Sequence, residues 1–374
     1  MPTKVLTIMG TRPEAIKLCP VILELQSRPN EFESIVCVTA QHREMLDQVL
    51  AVFDVQPDHD LNIMLPGQSL AQITARAIGG LDEVIQKTQP AITLVQGDTT
   101  TAFCGGLASH YQHTAIGHVE AGLRTGNKFA PFPEEMNRRL IGQLADQHFA
   151  PTTHARDILL KEHISPSCVH LTGNTVIDAL LWVRQRVNKK PPRLPAKIKA
   201  LKEAPFVLIT GHRRESFGEG FENICLAIRQ VADAFTDVHF VYPMHLNPNV
   251  REPVNRILAG HDRIHLIEPL TYEPFVWLMD QATVILTDSG GVQEEAPSLG
   301  IPVLVMRETT ERPEGVAAGN AKLVGTHRDT IVAELSNLLT DPNARSAMSN
   351  VQNPYGDGTA ARQIADVIRR TQEA

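Results

Sequence analysis

The chain has 374 residues, too many for one typical hydrophobic core, and we expect about two domains of roughly 150 to 200 residues each. Its formal net charge is -7 and its basic residues are scattered, which excludes a basic surface for DNA or RNA. The five cysteines lack the paired spacing of disulfide or zinc frameworks. No signal peptide and no apolar stretch of membrane-spanning length are visible, so we expect a cytoplasmic protein with no membrane partner.

Short β-rich runs alternate with helical periodicity along the chain, a pattern typical of parallel sheets covered by helices on both faces. The predicted fold class is α/β, with two Rossmann-like parallel-sheet domains facing a central cleft. The first sheet is predicted to take strands near 4–9, 34–39, 91–96, 115–119, 146–150 and 168–172, and the second near 206–210, 237–242, 263–267, 283–287, 301–305 and 321–324.

The join between the domains is indicated by a change in composition. A helical stretch from Val176 to Val187 is followed by the polar, proline-rich residues 188–195, which we interpret as a hinge. The last helical pattern, Gly358 to Arg370, follows a turn-prone segment and is predicted to cross back onto the first domain. The predicted limits are therefore 1–172 joined by 358–374 for the first domain, and 173–357 for the second.

Three acidic residues are the main chemical signal of the first domain. Asp98 and Glu120 each end a short apolar run, and Glu134 follows nearby. Ligands of open α/β sheets bind beyond the carboxyl ends of the strands, so such acids point into the predicted crevice. A helix cap or a structural ion pair is the alternative for each acid alone. Three acids together favour proton transfer.

The turn after the first strand, residues 10–14, resembles an anion site. Gly10 permits a sharp turn and Pro13 suits the start of a helix. We expect free backbone amides and Arg12 to face an anion there, with Lys17 adding charge one helical turn later. An ordinary strand-to-helix turn is the alternative.

A second anion site is predicted in the second domain, where a strand runs into Ser289, Gly290 and Gly291. Paired glycines let a phosphate approach the backbone, and the following helix supplies positive potential, although a glycine pair alone is a weak signal. Glu295, one turn into that helix, is placed to accept ribose hydroxyls. Arg312 is a candidate pyrophosphate contact by its position.

His212 follows the strand at 206–210 and is predicted to carry a proton or to bind phosphate. His245 is a weaker candidate of the same kind. The sequence has no phosphate loop with its lysine, no complete dinucleotide fingerprint and no zinc-protease motif. Kinase, dehydrogenase and metalloprotease functions therefore lose support, and we expect neither a metal nor a cofactor.

Five ordered motifs carry a family resemblance: Gly-Thr-Arg-Pro-Glu at 10–14, Gly-Asp-Thr-Thr-Thr at 97–101, His-Val-Glu-Ala-Gly-Leu-Arg at 118–124, Gly-His-Arg-Arg-Glu at 211–215 and Asp-Ser-Gly-Gly at 288–291. Together they closely resemble the non-hydrolysing UDP-N-acetylglucosamine 2-epimerases over essentially the whole chain. The resemblance implies a glycosyltransferase-B type of fold whose second domain binds UDP, and a cytoplasmic homodimer. It also implies interconversion of UDP-N-acetylglucosamine and UDP-N-acetylmannosamine for bacterial surface polysaccharides.

The resemblance also implies roles for individual residues. The acid and base candidates would be Asp98, Glu120, Glu134 and His212. One departure from the family pattern lies on the uracil side, where some relatives have glutamine and this chain has Leu270; a backbone contact would survive that change. The substrate-binding positions would be Arg12, Lys17, Asp98, Glu120, His212, Leu270, Phe275, Ser289, Gly290, Gly291, Glu295 and Arg312.

Some family members bind a second UDP-N-acetylglucosamine as an activator. The matching positions here would be Gln41, Glu44, Arg213 and His245. Glu44 stands where those members have glutamine, and Gly67 where they have arginine. Losing that arginine would remove a charge-assisted contact worth about 1.5 to 3 kcal/mol, which puts the activator site in question.

The chemistry must avoid a bare carbanion, because the sugar C2 proton is not next to a carbonyl. We therefore hypothesise loss of UDP to give a 2-acetamidoglucal, followed by re-addition with the proton delivered to the opposite face. A keto intermediate would need NAD, for which the fingerprint is missing. A hydrolysing epimerase, a glycosyltransferase and a catalytically silent nucleotide-sugar sensor are the alternatives.

Overall fold

The computed structural model of the chain describes residues 1–41, 43–199, 201 and 204–373. The chain folds into two compact units, one formed by Met1–Trp182 with Tyr355–Ala374 and the other by Val183–Pro354. The domain limits given above, at 172 and 358, stay a prediction, and Ala374 at the end of the predicted C-terminal helix lies outside the described residues.

The first unit contains a parallel sheet whose strands are apolar because helices cover both faces. Its strands are β1 (Thr3–Met9), β2 (Phe32–Val38), β3 (His59–Asp60), β4 (Ile92–Gln96), β5 (Ala115–Val119), β6 (Gln147–Ala150) and β7 (Val169–Leu171). They pair in the order β3-β2-β1-β4-β5-β6-β7. The six predicted strands are confirmed. β3 was not predicted, because a two-residue edge strand has no hydrophobic run.

The second unit repeats this topology. Its strands are β8 (Phe206–Thr210), β9 (His239–Pro243), β10 (Ile264–Ile267), β11 (Val284–Thr287), β12 (Val303–Val305) and β13 (Ala321–Leu323). They pair in parallel in the order β10-β9-β8-β11-β12-β13, so the six strands predicted here are also confirmed. Strand order reverses between β1 and β4 in one sheet and between β8 and β11 in the other. Ligands of such sheets bind at these switch points.

Helices connect the strands, and several begin at a side chain that caps the first turn. Ser69 and Thr99, for example, accept hydrogen bonds from backbone N–H groups three residues later. The described helices are α1 (Arg12–Gln26), α2 (Arg43–Val52), α3 (Leu70–Thr88), α4 (Thr100–Tyr111), α5 (Glu134–Leu144), α6 (Thr153–Lys161), α7 (Thr175–Lys189), α8 (Ala196–Lys199), α9 (Glu219–Ala234), α10 (Pro248–Leu258), α11 (Tyr272–Gln281), α12 (Gly290–Glu295), α13 (Pro313–Ala318), α14 (Arg328–Thr340), α15 (Pro342–Ser349) and α16 (Ala360–Glu373), with short 3-10 helices at Pro166–Cys168, Arg214–Ser216 and Ala296–Leu299.

The last helix, α16, belongs to the first unit. Ile364 and Ile368 are fully buried. The backbone N–H groups of Ala360 and Ala361 donate to the carboxylate of Asp178 on α7, at 3.3 and 2.9 Å. Burial raises the pKa of Asp178 to about 6, although these two hydrogen bonds favour the ionised form. A buried carboxylate therefore caps the start of α16.

None of the helices in the described ranges is long and apolar enough to span a membrane. The cysteines are reduced thiols, with Cys19, Cys37, Cys104 and Cys225 buried and Cys168 partly exposed.

Candidate active site

The carboxylate of Glu120 accepts hydrogen bonds from three side chains at the switch point of the first unit. Glu120 directly follows β5 and is buried. Lys17 Nζ and Asn174 Nδ2 donate to its Oε1, the latter at 3.1 Å, and Gln96 Nε2 donates to its Oε2. Its backbone has a φ of 62°, in the left-handed region that few side chains other than glycine adopt. Donors thus fix both oxygens of a residue on a strained backbone.

Asp98 lies two residues beyond β4 and is half-buried. Burial raises its pKa above the ordinary value, an effect that Arg138 opposes and the nearby Glu120 reinforces. Arg138 Nη2 donates to the Asp98 carboxylate, and Asn137 Nδ2 donates to the Asp98 carbonyl at 2.9 Å. A carboxyl with a raised pKa is suited to general acid–base catalysis.

Glu134 begins α5, the helix that contacts Asp98. Asn137 and Arg138 follow it by three and four residues, so all three side chains lie on one face of the helix. Glu134 Oε2 is buried and has no hydrogen-bond partner among the described residues. The structure therefore brings the three acids singled out in the sequence to the same edge of the first sheet.

The turn after β1 differs from its predicted role. Glu14 Oε2 accepts hydrogen bonds from the backbone N–H groups of Gly10 and Thr11, at 3.0 and 2.8 Å. Thr99 Oγ1 donates to Glu14 Oε1 at 2.5 Å. The expectation of free amides facing an anion is wrong, because the chain's own carboxylate occupies them. Arg12, half-buried at the start of α1, is the remaining anion-binding group of this turn.

His118 contacts the turn that precedes Asp98. Its Nε2 lies 2.7 Å from the carbonyl oxygen of Gly97, so this nitrogen carries the proton and donates. Burial lowers the pKa of His118 to about 3, so the ring is neutral at ordinary pH. Gly97 itself has a φ of 67° and precedes Asp98. His118 thus holds the turn that presents Asp98.

In the second unit, His212 and Asp288 meet at the switch point between β8 and β11. Asp288 Oδ2 accepts from the backbone N–H groups of His212 and Arg213, at 2.6 and 2.7 Å, and His212 Nδ1 lies 3.2 Å from Asp288 Oδ1. Burial alone would raise the pKa of Asp288, but these contacts outweigh it and the pKa lies below its usual value. The ring of His245 stacks on His212, with centroids 5.4 Å apart. The imidazole of His212 is therefore fixed in orientation.

Two guanidinium groups lie beside Gly290, the first glycine of the predicted pair. A Cβ added to Gly290 would lie 3.8 Å from Arg312 Cζ and 3.9 Å from Arg213 Nη2. Arg312 Nε donates to the buried carboxylate of Glu294, which holds this side chain in place. Gly290 and Gly291 follow Ser289 at the start of α12. The absence of a side chain on Gly290 leaves room beside two cations.

The candidates for nucleoside contacts group around α11. Glu295 is buried and its Oε1 accepts from the hydroxyl of Tyr272 at 2.7 Å. Phe275 is half-buried in the first turn of α11, and Leu270 is half-buried in the preceding loop. Their predicted contacts with ribose and uracil stay predictions.

The four candidates for an activator site are divided between the units. In the first unit, Gln41 Oε1 accepts from Thr101 Oγ1 at 3.4 Å, and Glu44 is exposed in the first turn of α2. Arg213 and His245 lie in the second unit beside His212. This site also stays a prediction.

Three residues that hold the acids, Gln96, Asn174 and Arg138, were not predicted from the sequence. Gln96 and Asn174 could have been predicted from the sequence, because each is a polar residue at the carboxyl end of a strand or just beyond it. The rule that selected Asp98 applies to both. Arg138 gave no such signal, since its contact with Asp98 spans forty positions of sequence.

A family model described as UDP-N-acetylglucosamine 2-epimerase matches residues 24–369. The chain belongs to the UDP-N-acetylglucosamine 2-epimerase family. The family's curated proteins of that name include one from Escherichia coli (strain K12), 55% identical over 98% of each chain. Another, from Bacillus subtilis (strain 168), is 53% identical over 98% of this chain and 94% of its own.

The fold of the chain also matches a solved structure of this family. The family's crystal structure from Neisseria meningitidis, described as bound to UDP-GlcNAc, superposes with a TM-score of 0.86 at 50% identity, covering 98% of this chain and all of that one. The resemblance and the predicted fold, two parallel-sheet domains of the glycosyltransferase-B type, are confirmed. Epimerases are isomerases, so the predicted class of enzyme is confirmed at that level.

Proposed function

We propose that this family member interconverts UDP-N-acetylglucosamine and UDP-N-acetylmannosamine reversibly, without releasing free sugar. The observation that carries the proposal is the meeting of Asp98, whose pKa burial raises, with the tightly held Glu120 at the switch point of the first sheet. Two carboxyl groups at one site suit the removal of a proton from one face of a sugar and its delivery to the other. The names of the relatives support the same substrate.

The proposed reaction has two balanced halves. A carboxylate removes the C2 proton, the C2–H electron pair forms a C1=C2 double bond, and the C1–O bond breaks so that UDP leaves with its electron pair. In the second half, an oxygen of the diphosphate attacks C1 while a carboxylic acid on the other face donates a proton to C2. No net oxidation or hydrolysis occurs, and the product is the C2 epimer.

We assign the proposed catalytic roles of the residues by the charges of their side chains. Asp98, Glu120 and Glu134 exchange the proton, and the cations Arg12 and Arg312, with His212, stabilise the departing diphosphate. Lys17 donates to Glu120, so its contribution is to orient that carboxylate. The remaining proposed substrate contacts are Ser289, Gly290 and Gly291 to phosphate, Glu295 to ribose, and Leu270 and Phe275 to uracil.

Turnover in heavy water tests this function. We expect deuterium at C2 of both nucleotide sugars and no free N-acetylmannosamine, from either starting epimer. Release of N-acetylmannosamine and UDP would instead identify a hydrolysing enzyme, and unlabelled C2 after epimerisation would exclude the elimination route.

Amide variants of the acids test the residue assignment. Asp98→Asn, Glu120→Gln and Glu134→Gln should each lower kcat by about 100-fold or more, since a positioned acid or base contributes about 10² to 10⁴. Glu33→Gln on the exposed side of β2 is the matched control and should retain wild-type turnover. An acid variant with normal turnover would remove that residue from the proton-transfer set.

We also propose that the enzyme is a cytoplasmic homodimer that serves surface polysaccharide synthesis, and that Gln41, Glu44, Arg213 and His245 bind an activating nucleotide sugar. Sedimentation measures the dimer. For the activator, a trace of UDP-N-acetylglucosamine should accelerate turnover of UDP-N-acetylmannosamine in the wild type and less so in Glu44→Ala. Equal acceleration in both would remove Glu44 from that site.

A further inference from the structure

Glu120 adopts a backbone conformation that is unfavourable for a residue with a side chain. A φ of 62° costs a side-chain-bearing residue of this type free energy, and it persists only where surrounding contacts impose it. The contacts here are Lys17 and Asn174 on Oε1 and Gln96 on Oε2. Lys17 donates to the Glu120 carboxylate as a cation, whereas the neutral amides of Gln96 and Asn174 donate hydrogen bonds that orient it. The amides therefore act on the geometry of the carboxylate.

Asn174 makes hydrogen bonds to three other residues. Its Nδ2 donates to Glu120 at 3.1 Å, its Oδ1 accepts from the backbone N–H of Val176 at 3.1 Å, and its own N–H donates to the Tyr355 carbonyl at 2.7 Å. The Val176 bond settles which end of the amide faces Glu120, because only the NH₂ group remains for the carboxylate. The side chain is buried, so water does not compete for these bonds.

We propose that Asn174 and Gln96 are positioning residues, which hold the Glu120 carboxylate in the orientation that proton transfer at C2 requires. This inference rests on the proposed function. Gln96 approaches from the end of β4 and Asn174 from the segment after β7, so the carboxylate is gripped on both oxygens from two elements of one sheet. Neither amide exchanges a proton itself.

Asn174→Asp is the sharpest test, because it is nearly isosteric. Its carboxylate can still accept the Val176 N–H, so the start of α7 keeps its cap, but the donor to Glu120 is lost. We expect kcat to fall about 10- to 100-fold, the range for misplacing a reacting group, with KM little changed. A structural defect alone would lower the active fraction without changing the pH profile.

The pH profile of Asn174→Asp gives a second readout. The charged or titratable groups near Glu120 include Lys17, Asp98 and the neutral His118. A further carboxylate against Glu120 disfavours its ionised form. The limb of kcat/KM that requires this ionised form should therefore move to higher pH than in the wild type.

Gln96→Met is the second variant and covers the case in which Asn174→Asp folds poorly. It keeps the volume of a buried side chain and removes the donor to Oε2, so the same fall in kcat is expected without a new charge. Wild-type kcat in a folded Gln96→Met, or wild-type kcat and pH profile in a folded Asn174→Asp, would overturn the inference for that residue. Absence of epimerisation in the wild type would instead refute the proposed function.

Discussion

Asp178 makes a pH-dependent contribution to the stability of the first unit. Its folded-state pKa of about 6 lies above the ordinary 3.8, so the folded state binds this proton more tightly than the unfolded chain. The resulting stabilisation is complete below the unfolded pKa and is lost as the pH rises through about 6. The full difference corresponds to about 3 kcal/mol, of which about 2 kcal/mol should be lost between about pH 4.5 and about pH 8.

The comparison with Asp178→Asn isolates this contribution, because the amide keeps an acceptor for Ala360 and Ala361 but does not titrate. The chain has two tryptophans, Trp182 in the first unit and Trp277 in the second. In a Trp277→Phe background, Trp182 fluorescence reports unfolding of the first unit, and denaturant titrations give its free energy at each pH. Asp178→Asn should gain about 2 kcal/mol relative to its parent across this range. A pH-independent difference would refute the reasoning.

Three further variants test other contacts. Arg138→Met removes the cation that lowers the pKa of Asp98, so the limb of the pH–rate profile set by Asp98 should move to higher pH; an unmoved limb would contradict this pairing. Gly117→Ala would place a Cβ 2.6 Å from Leu94 Cδ2, and denaturant titration should show a loss of about 1 to 3 kcal/mol. Thr99→Ala removes the cap of α4 and should cost about 1 kcal/mol in the same assay, whereas a neutral result would show that this cap is dispensable.

The parallel strands were predictable because the buried strands are short, predominantly apolar runs between polar turns. Residues 115–119 form a strand with the predicted bounds, and the strand predicted at 91–96 begins one residue later, at Ile92. β3 was not predictable in this way, since its two residues, His59 and Asp60, belong to the sheet only through their pairing with β2.

The acids were predictable for a related reason: the end of a strand places the next residue at the edge of the sheet. Their partners depend on tertiary contacts that no local pattern encodes, as with Arg138 and Asp98. At the turn that contains Gly10, a local pattern was present but the predicted anion site was wrong. Its sequence suggested an anion site, but Glu14 lies one helical turn away and reaches back to the same amides.

The return of Tyr355–Ala374 to the first unit has a consequence for biosynthesis. The ribosome makes Val183–Pro354 in full before it makes the helix that completes the unit begun at Met1. A chain that stops after Pro354 contains every residue proposed to bind nucleotide or move a proton. It nevertheless lacks the Tyr355 carbonyl that Asn174 contacts and the α16 amides that Asp178 caps. Residues 355–361 must therefore be synthesised before Asn174 and Asp178 can form these contacts.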